Sequence, residues 1–508
     1  MNPATSSTCA LDPNGAVRRL LLVVATSCSD SERNIIRALE ESDAFALRVA
    51  RIEAALQPAT WSPLERIYRA LDRRVFGGSP ADASASGPEV DAIGLAAIVA
   101  AFEPCAVVDL TGTLRADPAW GSVPLLTLRF EGLAASHLVH AVRRRLGVRD
   151  GTVQVQVTTP ESGATRTLFS GACFIDHRSL ARSSILVARK VPMILQAGLA
   201  RRAGPDGPSE SLREASSPTL GPLRLMCRLA ASIAYRLLRR DQWGMLLYRG
   251  QERSHLQRPW ASVMADASAF WADPFLVPHG DGVGVFCEEL PFASNKGRIS
   301  FVPIDGDGRP GPSVVVLDKP WHLSYPSQLE WKGRRFMIPE SSANRTVDLY
   351  ECIEFPQQWR FIKTLIAGPR LADATVVKWR GRLWMFAAHG ELGASNYDEL
   401  HLFWADELHG PWHAHAQNPV KIDAGSARPA GAMWVQNGRI FRPTQDCRNR
   451  YGDGVAFQEV VVLDEHRFEE RLVERLTAGG TKAGASVHTF NEVQGFTVID
   501  VAGSAWRR

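Results

Sequence analysis

The chain has 508 residues, a formal net charge of +4, and 45% hydrophobic against 22% charged residues. This is globular rather than disordered composition, too long for a single core and too weakly basic to imply a nucleic-acid partner. The 8 cysteines include no CxxC pair, so they suit a reducing compartment and give no zinc-site spacing.

Residues 17–201 read as an α/β domain with a parallel sheet. Leu20–Ala25 is an apolar run, too short for a signal-peptide core and better suited to a buried first strand. Ser31–Glu41 has helical character, with Ser29, Asp30 or Ser31 as the candidate cap. Leu47–Ile52, Cys105–Leu110 and Val123–Phe130 follow as strands, with helical stretches near 63–76 and 92–101. Strands alternating with helices predict crossover connections. Thr152–Thr159 alternates apolar with polar residues, Leu168–Ile175 can pair with it, and a helix is expected through 177–201.

Residues 202–220 are rich in Pro, Gly and Ser and predict a linker. A helix over 221–241 carries Arg224, Arg228, Arg236, Arg239 and Arg240 among Leu, Met and Ala. Its apolar stripe predicts docking on a domain; the alternative is a basic face lying on an anionic membrane. Gln242–Tyr248 is expected to be the strand that closes a ring. No run of residues is apolar enough to cross a bilayer, and the expectation is a cytoplasmic protein with peripheral membrane contact through 223–240 as its one route to a membrane.

Over residues 242–503 one short pattern recurs five times. It begins at Trp271-Ala-Asp-Pro-Phe, Ser324-Tyr-Pro-Ser-Gln, Ala372-Asp-Ala-Thr, Ala427-Arg-Pro-Ala-Gly and Ala485-Ser-Val-His. Each copy reads strand, tight polar turn, strand, and the copies recur about every fifty residues, the spacing of propeller blades. The fold class expected is therefore an N-terminal α/β domain followed by an all-β five-bladed propeller.

A propeller gathers equivalent positions around its axis. Asp273, Tyr325, Asp373, Arg428 and His488 align on the first strands. The second strands add Glu288 or Glu289, Glu340, His389, and Gln445 with Asp446, and Asn344 and Arg345 follow Glu340. So many polar groups facing one cavity predict a binding or catalytic cup, although an Asp373–Arg428 ion pair pinning two blades is the plainer reading of those two. Two carboxylates flanking a sugar can serve as acid and base. Asp273 suits the base. Glu340, at the end of an apolar strand, suits an acid with a raised pKa, and Asp373 suits charge tuning. Tyr325, Asn344, Arg345, Arg428, Gln445, Asp446 and His488 are the candidate substrate contacts. Most of the tryptophans are expected between blades, with one or two free to stack on sugar rings. No metal or cofactor is expected.

The propeller half resembles arabinanase- and xylosidase-like glycoside hydrolases. That resemblance implies a catalytic base at Asp273 and a pKa-tuning aspartate at Asp373, but the position of the family's acid is occupied by Arg428. A closer resemblance, over 242–500, is to the N-terminal domain named after plant glucosamine inositolphosphorylceramide transferases. It rests on Trp271-Ala-Asp-Pro-Phe, His322-Leu-Ser-Tyr-Pro, Pro339-Glu-Ser-Ser-Ala-Asn-Arg-Thr, Asp398-Glu-Leu-His-Leu-Phe-Trp-Ala and Arg442-Pro-Thr-Gln-Asp-Cys. In the plant proteins a glycosyltransferase domain follows; none is expected before Arg508. Residues 17–200 resemble a formyltransferase-type domain whose expected catalytic stretch, Leu128-Arg-Phe-Glu-Gly, lacks the histidine.

Three functions follow as expectations. The first is glycosyl transfer or hydrolysis on a glycan or glycolipid at the funnel. The second is non-catalytic binding of a glycan or lipid headgroup for a partner glycosyltransferase. The third is formyl or acyl transfer by the N-terminal domain, for which only His137, His140 and His177 are at hand between residues 105 and 180.

Overall fold

The structure is a computed structural model describing residues 17–54, 61–76, 87–161, 164–201, 220–250, 256, 259–391, 393–476 and 486–506. The predicted linker over 202–220 lies outside these residues except at Leu220. The chain divides into two compact units, with the break inside one helix between Ile233 and Ala234.

The first unit holds strands β1 (Arg18–Ala25), β2 (Phe45–Ile52), β3 (Ala106–Asp109), β4 (Leu125–Phe130), β5 (Leu133–Ala134), β6 (Val153–Glu161) and β7 (Ala164–Cys173). Its helices are α1 (Asp30–Glu40), α2 (Pro63–Phe76), α3 (Ala92–Phe102), α4 (Leu138–Arg145) and α5 (Leu180–Arg201). The sheet order is β2-β1-β3-β4-β6-β7, with β5 on β4. Leu20 to Ala25 are wholly buried, as a central parallel strand covered on both faces must be. Of the three candidate caps, Ser29 starts α1: its hydroxyl accepts from Glu32 N–H while the Glu32 carboxylate accepts from Ser29 N–H. The sheet is mixed rather than wholly parallel. β2, β1, β3 and β4 run parallel through helical crossovers, while β6 and β7 are a hairpin and pair antiparallel.

Helix α6 (Pro222–Leu238) buries Leu225, Leu229 and Ser232 and exposes Leu223, Leu237 and Leu238. Among the described residues no helix is long and apolar enough to cross a membrane.

The second unit is the five-bladed propeller. β8 (Arg239–Arg249) and β9 (Ala261–Met264) come first in the chain but belong to the last blade. Blade one is β10 (Ala269–His279), β11 (Gly282–Pro291), β12 (Arg298–Ile304) and β13 (Val314–Leu317). Blade two is β14 (Ser324–Trp331), β15 (Arg334–Ser341), β16 (Thr346–Glu354) and β17 (Gln358–Ala367). Blade three is β18 (Leu371–Trp379), β19 (Arg382–His389), β20 (Glu399–Ala405) and β21 (His413–Ala414), with β22 (Lys421–Ile422) also on β20. Blade four is β23 (Trp434–Gln436), β24 (Arg439–Asp446), β25 (Gly454–Leu463) and β26 (Phe468–Leu476). β27 (Phe490–Val493) and β28 (Phe496–Trp506) are the inner strands of blade five, and β8 joins β28 over its full length, from Arg239 opposite Trp506 to Arg249 opposite Phe496.

A hydrophobic cluster fills each gap between neighbouring blades. Phe286, Phe301, Met337 and Tyr350 lie between blades one and two, and Ile338, Leu371 and Met385 between two and three. Phe386, Leu402 and Ala427 lie between three and four, Phe457, Phe490 and Ile499 between four and five, and Leu247, Val285 and Val498 between five and one. Trp271, Trp321, Trp331, Trp379, Trp384, Trp404, Trp412 and Trp434 all pack in these clusters.

Candidate functional site at the propeller axis

Three inner strands carry the same irregularity. Pairing skips between Ala272 and Phe275, between Ser324 and Ser327, and between Ala372 and Thr375. The residues inside those bulges, Asp273, Tyr325 and Asp373, have φ of 50°, 42° and 55°. The left-handed region is tolerable for aspartate and unusual for tyrosine, so the surrounding fold must enforce it. Each bulge also frees a backbone N–H. Asp273 N–H donates to Asp500 Oδ2 at 3.1 Å, and Tyr325 N–H donates to Asp273 Oδ2 at 3.2 Å. Carboxylates of one blade thus secure the bulge of the next.

Asp273 meets blade five. His488 Nε2 lies 3.1 Å from Asp273 Oδ1, and His488 Nδ1 lies 2.7 Å from Asp500 Oδ2. Thr489 Oγ1 donates to Asp273 Oδ1 at 3.0 Å. Burial opposes a charged His488, but Asp500 and Asp273 outweigh it and raise the imidazole to about 10. With a carboxylate beside each ring nitrogen, His488 is an imidazolium paired with two acids. Burial alone would raise Asp273, yet His488 and Arg428 hold it below the usual carboxylate value. Asp273, His488 and Asp500 could in principle ligate a cation, but with both ring nitrogens protonated the set fits an ion pair instead.

Asp373 behaves in the opposite way. Its burial, reinforced by Glu340 and Asp273, pushes it well above the carboxylate range despite Arg428. Arg428 Nε donates to Asp373 Oδ2 at 2.5 Å, Gln445 Nε2 donates to the same oxygen at 3.1 Å, and Arg428 also lies 3.9 Å from Glu340 Oε2. Glu340 is close enough for its charge to help raise Asp373. The Tyr325 hydroxyl accepts from Gly431 N–H at 2.6 Å and contacts Thr375 Oγ1 at 2.8 Å, joining blades two, three and four. The Arg428 guanidinium faces the rings of Tyr397 and Tyr451 at 5.5 and 5.2 Å.

Glu288 completes the cup beside His322, 3.2 Å from Nε2. Burial, with the charge of Asp273, raises the Glu288 pKa. The nearby carboxylates favour a charged His322, but Gly297 N–H donates to its Nδ1 at 3.0 Å. That bond makes Nδ1 an acceptor, so we assign the neutral tautomer with Nε2–H toward Glu288. Glu289, one residue on, faces the other side of the strand and pairs with Arg298 and Ser300.

The structure therefore brings together Asp273, Tyr325, Glu340, Asp373, Arg428, Gln445 and His488. It places four other candidates elsewhere. Asp446, next to Gln445, turns to the opposite face and pairs with Arg448 and Arg475. Arg345 makes a two-pronged pair with Glu391 at 2.9 and 3.1 Å, and Asn344 donates to Thr346. His389 is buried in a separate cluster with Glu399 and His401. Tyr397, Tyr451, Thr489 and Asp500 are the residues that repeat alignment overlooks. Thr489 and Asp500 both lie inside the fifth copy, which runs from Ala485 to Asp500, and that was their one signal.

In the N-terminal unit, His140 stacks on Trp61 with ring centroids 5.3 Å apart, and His177 Nδ1 accepts from Gly147 N–H at 3.1 Å. A cavity of about 490 Å³, lined by Arg239, Arg240, Gln242, Asp266 and Trp506 among others, lies at the start of β8 and the end of β28.

Residues 259–494 match the family model described as glucosamine inositolphosphorylceramide transferase 1, N-terminal. The matched residues lie within the propeller. Proteins named glucosamine inositolphosphorylceramide transferase 1 from Oryza sativa subsp. japonica and Arabidopsis thaliana are 32% and 31% identical over 207 residues. The aligned stretch is 40% of this chain but only 28% and 27% of theirs, so the chain spans under a third of the length of these curated relatives. Among solved structures, a family 117 glycoside hydrolase of Zobellia galactanivorans aligns with a TM-score of 0.35 and 11% identity, over 51% of this chain and 90% of its own. An alpha-L-arabinanase of Cellvibrio cellulosa complexed with arabinohexaose aligns with a TM-score of 0.31 and 12% identity, over 43% and 84%.

Proposed function

We propose that the propeller is a carbohydrate-active module that makes or breaks a glycosidic bond on a glycolipid presented at its axis. The relatives that share the domain are named for transfer to inositolphosphorylceramide, which supports a phosphorylated glycolipid as the substrate class. One observation carries the chemistry. Around a single axis, His488 and Arg428 hold Asp273 below the usual carboxylate value while burial pushes Asp373 well above it. Separated protonation states of neighbouring carboxyls are what acid–base chemistry on a sugar requires.

In this reading Asp273 is the base. Glu340, less buried than Asp373 and 3.9 Å from Arg428, is the acid, and Asp373 tunes it. Arg428, paired with Asp373 and facing Glu340, draws in an anionic group. Tyr397 and Tyr451 offer aromatic faces for a sugar ring. Transfer and hydrolysis differ only in the acceptor that Asp273 would activate.

The test is product formation by the full chain from labelled sugar nucleotides with inositol phospholipids, and from aryl furanosides. We expect Asp273→Asn to remain folded, though less stable for the loss of its pair with His488, and to lose about 10²–10⁴-fold of the rate, the size of a general-base contribution. An unchanged rate in that variant removes the reading.

A second reading is favoured by a specific fact: both oxygens of Asp273 are already engaged, by His488, Thr489 and Tyr325. A cup so fully bonded suits a binding module that hands a headgroup to a partner glycosyltransferase. Saturable glycolipid binding with no product from any donor would select it.

A further inference from the structure

We propose that blade three holds a structural divalent cation, with zinc as its best fit, bound by His389 and Glu399 and His401. The three side chains come from the end of β19 and the start of β20, on either side of the 390–398 connection. All three are buried, with no more than 2% of any side chain exposed. His389 Nδ1 lies 2.6 Å and His401 Nε2 lies 2.8 Å from the same oxygen, Glu399 Oε1. One donor atom from each residue falls within 4.8 Å of the others. Two imidazole nitrogens and a carboxylate oxygen are a familiar donor set for zinc, with a fourth position left for water or the second carboxylate oxygen.

A hydrogen-bonded trio explains the cluster less well. In it, each ring would keep its proton on the nitrogen facing Glu399. The outer nitrogens, His389 Nε2 and His401 Nδ1, would then be bare acceptors, and neither has a hydrogen-bond partner among the described residues. His389 Nε2 would direct its lone pair at the Glu391 carboxylate, 3.9 Å away. A cation reverses this. It takes the inner nitrogens, moves the protons outward, and turns His389 Nε2–H toward Glu391, the outer-shell carboxylate that ligating histidines commonly have. Arg345 already orients Glu391 through two bonds.

The cation would also close the connection. A side chain on Gly390 would come within 3.1 Å of the Asn396 backbone, so the two ends of the loop already meet closely. Tyr397, one of the rings facing Arg428, rides on that loop. The proposal stands on blade three alone, so it and the glycolipid reading can fail separately.

The experiment is elemental analysis of the untagged full chain, purified without a metal column, together with melting after chelation and after adding zinc chloride. We expect about one zinc per chain, a lower melting temperature after chelation, and its recovery with zinc, as metal binding is coupled to folding. Glu399→Gln and His401→Gln should each lose the metal and the zinc response. A metal-free wild type whose melting ignores zinc overturns the proposal, as does equal metal content in wild type and variants. If the variants fail to fold, the chelation and readdition series on the wild type decides alone.

Discussion

His488 is the residue on which the axis turns, because one imidazolium holds the aspartates of blades one and five together. Its pKa rises from 6.5 to about 10, so its contribution to stability is complete below pH 6.5 and is lost as pH climbs through 10. His488→Gln leaves Asp273 and Asp500 buried without their cation, which costs about 3–5 kcal/mol for a broken buried pair. Denaturant melts at pH 6, 8 and 10 should show the gap between wild type and variant narrowing with rising pH. A gap that stays constant would mean that His488 is neutral in the fold. Arg428 sets a contrasting case. Its guanidinium helps hold Asp273 below the usual carboxylate value, while burial drives Asp373 above it.

The bulged inner strands are the elements that build the cup, and they show how far sequence reasoning reaches. The five copies were legible because alternation, polar turns and buried apolar strands recur at one spacing, and the clusters between blades follow from them. The facing of single residues was not. Glu288 and Glu289 differ by one step, as do Gln445 and Asp446, and one step selects the opposite face of a strand. Tyr397 and Tyr451 sit outside the strands, in connections no repeat constrains. Tyr325 shows what a bulge contributes: its hydroxyl serves Gly431 and Thr375 at once. Tyr325→Phe should strand the Gly431 N–H in the interior, at a cost of about 1–3 kcal/mol for an unsatisfied buried group. Chemical denaturation measures this, and an unaltered midpoint would show that the three-blade link contributes nothing.

At the scale of the whole molecule, the propeller is a ring whose last blade is assembled from both ends of its stretch of chain. β8 and β9 come from before blade one and β27 and β28 from after blade four. A fragment beginning at Ala234 should therefore melt as one cooperative unit, because it keeps β8. A fragment beginning at Gly250 should lose β28's partner and the cluster between blades five and one, and should aggregate or melt without a sharp transition. Equal melting of the two fragments, followed by circular dichroism, would show that closure is dispensable.

The same closure sets an order of events during synthesis. β8 leaves the ribosome early, and its mate β28 emerges last, after every other blade has been made. Until then β8 presents an unpaired edge, and blade one has no neighbour on one side. The ring can become stable only once Trp506 has emerged, so the propeller closes as a whole rather than blade by blade, and a chain stalled before β28 would expose a sticky flank to the cell's quality control.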